Sequence, residues 1–137
     1  MKQLKLLACV LALGAFALLT GCGGDDNNNN GGTQPTGTNA PANLNSSTVT
    51  LTPSDGSGNH SIAIDASGNY NATFNDGTTE SGTAAYTPSG DNATLVLSPS
   101  NGSGVSTINM TFTSPTDGSY TSDTVGSGTF TVAKTGP

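Results

Sequence analysis

Cys22 is the residue whose surroundings point most clearly to covalent chemistry. Its thiol follows an aliphatic residue and two small ones, Leu19, Thr20 and Gly21, at the end of an apolar run that starts at Leu6. A thiol is a nucleophile in its thiolate form, and small neighbours leave the preceding backbone open to an approaching enzyme. Elsewhere reactive side chains are scarce. His60 is the single histidine, and the other cysteine, Cys9, lies inside the apolar run. A Ser-His-Asp arrangement could be drawn around His60, but Ser and Asp are so frequent here that their presence selects nothing. The Gly-Ser-Gly triplets at 56–58, 102–104 and 126–128 lack the Gly-x-Ser-x-Gly pattern of a nucleophile elbow. Zinc needs three or four His, Cys or acidic ligands, which one histidine and no further thiol do not supply. The stretch Asp55-Gly56-Ser57-Gly58-Asn59 offers hard oxygens without the spacing of a calcium loop. The expectation is therefore no catalytic residue, no metal and no cofactor. His60, at the start of an expected strand, is expected to face solvent. The Asp residues after position 50, Asp123 apart, are expected to make turns.

The setting of Cys22 is that of an export signal. Lys2 and Lys5 give a positive start, about 14 apolar residues follow, and Thr20 and Gly21 supply the small residues of a cleavage site. The run is too short to cross a hydrocarbon core of roughly 30 Å comfortably. Leu19-Thr20-Gly21-Cys22 resembles the lipobox of bacterial lipoproteins. That resemblance implies cleavage between Gly21 and Cys22, a diacylglyceryl group on the Cys22 thiol, and fatty acylation (palmitate) of the new N-terminus. It also implies a membrane partner reached through lipid. Gly23, rather than Asp, after the cysteine favours the outer membrane of a Gram-negative cell by the same resemblance. With Cys9 removed and Cys22 lipidated, no thiol is left for a disulfide.

The charge distribution excludes other partners. All nine acidic residues follow Cys22, against the single base Lys134. A phosphate-binding face needs clustered Lys and Arg, so nucleic acid is not expected. Adsorption to anionic lipid by protein charge is excluded on the same ground. Residues 22–42 (Cys22, then GGDDNNNNGGTQPTGTNAPA) hold little that is large and apolar and show no period of 2 or 3.6. They are expected to form a disordered tether, about 25 Å in r.m.s. span and up to roughly 70 Å when stretched.

Positions 43–137 read as one all-β domain. Turn clusters such as Ser54-Asp55-Gly56, Asn75-Asp76-Gly77, Ser100-Asn101-Gly102 and Thr116-Asp117-Gly118 recur about every ten residues. Gly, Asn and Asp accept the positive φ that tight hairpins require. The runs between them are rich in Thr, Val, Ile, Tyr and Phe and alternate in polarity. The inward set is expected to be Val49 and Leu51, Ile62 and Ile64, then Tyr70, Ala72 and Phe74. Ala84 and Tyr86, Leu95 and Leu97 follow, then Ile108, Met110 and Phe112, and finally Tyr120, Phe130 and Val132. Strands with one wet face belong to antiparallel sheets. About seven or eight of them with short turns make an up-and-down meander, for which a closed barrel is favoured over a two-sheet sandwich.

Gly82–Tyr86, Ala93–Leu97, Thr111–Ser114, Gly118–Tyr120 and Gly128–Thr131 together resemble small bacterial envelope proteins with lipocalin-like β-meanders. Lipocalins carry Gly-x-Trp near the first strand and this chain has no Trp, so a ligand cavity does not follow from the resemblance. The resulting expectation is a monomeric, membrane-anchored, non-enzymatic envelope protein. It would be a binding or structural surface module, its protein or glycan partner left open. The alternatives are a lipocalin-like carrier or inhibitor and, more distantly, a hydrolase. A carrier would need an apolar pocket of about 300 Å³ or more, lined by Tyr70, Phe74, Tyr86 and Phe112. A hydrolase would need a polar groove gathering His60 with two carboxylates.

Overall fold

The computed structural model describes residues 38–136. The expected signal at 1–21, the lipidation and cleavage site at Gly21 and Cys22, and most of the expected tether lie outside them. The chain forms β1 (Ser47–Pro53), β2 (His60–Ile64), β3 (Asn69–Thr73) and β4 (Thr79–Ser89). It continues through β5 (Asn92–Pro99), β6 (Ser106–Ser114), β7 (Asp117–Ser122) and β8 (Gly126–Lys134). Each strand pairs antiparallel with the next, and β8 returns to β1 along its whole length, from Ser47↔Lys134 to Pro53↔Gly128. That last pairing makes the meander a closed eight-strand barrel and not a sandwich.

Alternation fills the barrel. Along β6, Ile108, Met110 and Phe112 are buried while Asn109, Thr111 and Thr113 are exposed. The other expected inward residues are buried too, except that Phe74, Ala84 and Tyr86 are only partly covered. An eight-strand barrel is just wide enough for its side chains to fill the axis. Phe112 and Phe130 meet there edge to face, with ring centroids 4.8 Å apart at 71°. Room for the pair comes from Gly118, which lies between them in register, opposite Phe112 on one side and Phe130 on the other. Gly82 and Gly128 occupy similar places, opposite Tyr70 and Tyr120.

Outward positions carry mainly Thr, Ser and Asn. A row runs Thr87, Thr94, Asn109, Thr121, Ser127 across five strands. Where a membrane-spanning barrel presents an apolar band to lipid, this wall presents hydroxyls and amides.

The two ends differ. At one end the connections are short (65–68, 90–91, 115–116), and the segment preceding β1 packs against them. Leu44 is 1% exposed and Ala40 5%. The Asn39 amide donates to Asp91 Oδ1 at 2.8 Å, and the Ala40 amide to the Gly90 carbonyl at 3.3 Å. Ordered packing thus reaches back to Asn39, inside the stretch 22–42 expected to be tether. Isolated apolar residues in a Pro- and Asn-rich coil have no period by which to be recognised. The other end carries the longer loops, 54–59, 74–78, 100–105 and 123–125, and among the described residues no segment crosses it.

Candidate functional site

The open end holds a cavity of about 230 Å³. Its floor is apolar, with Leu51, Ile62, Leu97 and Ile108 from the strands. Phe74 and Val125 form part of the wall, and Val105, 60% exposed, stands at the rim.

Two titratable side chains enter this lining, beside the hydroxyls of Ser103, Ser106 and Thr124. Glu80 lies two residues before Gly82 on the inward side of β4, with Ala84 and Tyr86 further along. Its Oε1 accepts from the Tyr70 hydroxyl at 2.6 Å, and its Oε2 from Ser103 Oγ at 3.2 Å. Tyr70 is buried on β3, so its phenol holds the carboxyl from below, while Ser103 ties the β5–β6 loop to it from above. His60 is the second. It shares the inward side of β2 with Ile62 and Ile64 and is 8% exposed, which corrects the expectation that it faces solvent. Strand parity decides this, since a residue two before Ile62 points where Ile62 points. Its ring meets Phe74 edge on, with centroids 5.6 Å apart, and Nδ1 accepts from the Asn75 amide at 3.4 Å. With Nδ1 accepting, the proton of a neutral ring sits on Nε2, for which no described residue supplies a partner.

Of the four residues expected to line a carrier pocket, only Phe74 lines this one. Tyr70 reaches it through Glu80, Phe112 is taken up by Phe130, and Tyr86 is half-buried with its hydroxyl lacking a partner among the described residues. The cavity gathers His60 with one carboxyl group, Glu80, not with two. Glu80 is the site residue that sequence reasoning missed. The signal was its parity with Ala84 and Tyr86, but a Glu beside a Gly/Thr turn reads as a solvated loop residue.

The Asp side chains make turns. Asp55 accepts from the Ser57 amide, Asp65 from the Ser67 and Asn69 amides, and Asp76 from the Thr78 amide. Asp123, set apart in the sequence, does similar work over a longer range by accepting from the Thr107 amide at 3.0 Å. Among the described residues no three His, Cys, Asp or Glu side chains gather as a metal-binding group. Around the mouth Asp55, Asp76 and Asp123 sit in its loops, with Glu80 at the wall. Lys134 ends β8 at the opposite end and gives its ammonium to the Asn45 carbonyl at 3.1 Å. The open end is therefore rich in carboxylates, with His60 its one base and no Lys or Arg there among the described residues.

These hydrogen bonds set the pH range of the fold. Asp55 is held below 3.8 chiefly by the Ser57 amide, Asp65 by the Asn69 side chain, and Asp76 by the Thr78 hydroxyl. Asp117 is lowered first by the Thr116 hydroxyl, and Asp123 by the Thr107 amide. Lowered folded values add stability that is present above 3.8 and lost as pH falls through them. Burial raises Tyr70, with Glu80 adding to it, pushes Tyr86 up to about 12, and raises Tyr120 with a smaller push from Asp55. Raised values add stability that is complete below pH 10 and lost as pH climbs through them. Thermal melts followed by circular dichroism should show Tm falling as pH drops below about 4 and again as it climbs above about 10. A Tm that holds level at both extremes would contradict this assignment.

No protein family, curated protein or solved structure matches this chain.

Proposed function

We propose that this chain is a lipid-anchored bacterial envelope protein whose barrel is a non-enzymatic binding module, with its site at the open end. The observation that carries the reading is the apolar recess of about 230 Å³, entered by Glu80 and His60, at the end that no described segment crosses. A capacious lipocalin-like carrier is less well supported. The recess falls below the 300–1,000 Å³ usual for small-molecule pockets, and the barrel axis behind it is filled by Ile108, Met110 and Phe112. A purely structural surface role draws support from the outer wall of Thr, Ser and Asn.

The anchor rests on Leu19-Thr20-Gly21-Cys22. The described chain begins beside the closed end, where Asn39 meets Asp91. The residues between Cys22 and Thr38 span at most roughly 55 Å when extended. A lipid on Cys22 would thus tether the barrel through the segment that leads into its closed end. Intact mass spectrometry of natively expressed protein should show a chain starting at Cys22 and carrying acyl groups, in the detergent phase. Cys22→Ser should leave the chain unprocessed or release it to the aqueous phase, because a hydroxyl is a poor acceptor in lipid transfer. A wild-type product that is water-soluble and free of lipid would overturn the anchor.

A further inference from the structure

We infer that the recess at the open end takes a small organic ammonium, a positive nitrogen on an apolar body; this rests on the binding-module reading above. Glu80 supplies the counter-charge. Each of its oxygens accepts one hydrogen bond, from Tyr70 and from Ser103, and both donors are neutral hydroxyls. A carboxyl group set into an apolar wall without a cationic partner favours a cation brought by the ligand, because attraction strengthens where water is displaced. The rim agrees in sign, with Asp55, Asp76 and Asp123 in the surrounding loops and Lys134, the one lysine of the described residues, at the other end.

His60 lines the same cavity, and the Nε2–H that its Asn75 contact leaves free is a donor, so it is met by water or by an acceptor on the ligand body and not by the ammonium. Phe74 offers a ring on which an ammonium can rest, and Ile62, Leu97 and Ile108 receive the apolar body. The volume limits that body to about one aromatic ring and a short chain. Anions are disfavoured, since four carboxylates, Asp55, Asp76, Glu80 and Asp123, stand at this end against one histidine.

The test is a titration of the ¹⁵N-labelled full chain at pH 7 and low salt with three probes of similar shape. These are 2-phenylethylamine (cationic), 2-phenylethanol (neutral) and phenylacetate (anionic). The amine should move the amide signals of Phe74, Glu80, Val105 and Val125 and bind at least about tenfold more tightly than the alcohol, with phenylacetate inert; tenfold is 1.4 kcal/mol. Glu80→Gln keeps an oxygen for Tyr70 and should bring the amine down to the alcohol's affinity while leaving the alcohol unchanged. If that variant fails to fold, wild type in about 0.5 M salt serves instead, where screening should weaken the amine several-fold and spare the alcohol. Equal affinity for amine and alcohol, or a Glu80→Gln variant that keeps the preference, overturns the ammonium inference and leaves the module intact. No shift at the mouth with any of the probes overturns the inference and the binding-module reading together.

Discussion

Phe112→Ala should lower the unfolding free energy of the barrel by about 3–5 kcal/mol, the usual range for deleting a buried ring. Thr111→Ala, one residue away, should lower it by about 0.5 kcal/mol. The contrast follows from the pleat. Phe112 is 2% exposed and stacks edge to face on Phe130, so its removal leaves a hole at the axis where the other side chains already fit. Thr111 points outward and loses only an exposed bond from its hydroxyl to Asn92 Oδ1 at 2.9 Å. Small domains hold about 5–10 kcal/mol in all, so the first substitution would leave much of the chain unfolded at 37 °C. Urea melts of the full chain followed by far-ultraviolet circular dichroism measure both. Equal losses would show a strand buried on both faces or slipped by one residue, since a slip exchanges the faces.

Gly118→Ala should be of similar size, about 3 kcal/mol or more, at the upper end of what overpacking does. A Cβ at Gly118 would lie 2.0 Å from the Thr111 carbonyl oxygen and 2.7 Å from Phe130 Cζ. The ring can rotate, but the carbonyl belongs to β6 and cannot move without disturbing the β6–β7 ladder. Relief therefore requires the strands to separate where the Phe112–Phe130 pair bridges them. Gly136→Ala, in open space, is the control and should leave the urea midpoint unchanged. A neutral Gly118→Ala would mean that β6 and β7 lie further apart than described, and the register Phe112↔Gly118 would fall with it.

The same glycine shows what the recurring strand-and-turn motifs do in the barrel. Thr111–Ser114, Gly118–Tyr120 and Gly128–Thr131 are strand-and-turn grammar when read along the chain. In the fold, Gly118 is the gap into which Phe112 and Phe130 pack, and Gly128 lies opposite Tyr120. A Cβ at Gly128 would come within 2.0 Å of the Thr52 carbonyl oxygen, on the strand that closes the barrel. Spacing along the chain records that these residues recur; register across the sheet supplies the reason.

Strands, turns and faces were legible in the sequence because each depends on neighbours a few residues away. A period of two assigns Ile108, Met110 and Phe112 to one side and Asn109 and Thr111 to the other. Asp and Gly at the turns satisfy local amides and accept positive φ, as Asp65 and Gly68 do. The lipobox reading of Cys22 is equally local. Tertiary structure decided what happens where distant segments meet. The pairing of β1 with β8 joins the two ends of the domain, and no turn signal marks it. Ala40 and Leu44 close one end with apolar surface too sparse to carry a period. His60 and Glu80 had the parity of their inward neighbours, yet a polar residue beside a turn is solvated in an open sheet. Only closure of the sheet, together with an end left uncrossed, encloses the two side chains in one apolar recess.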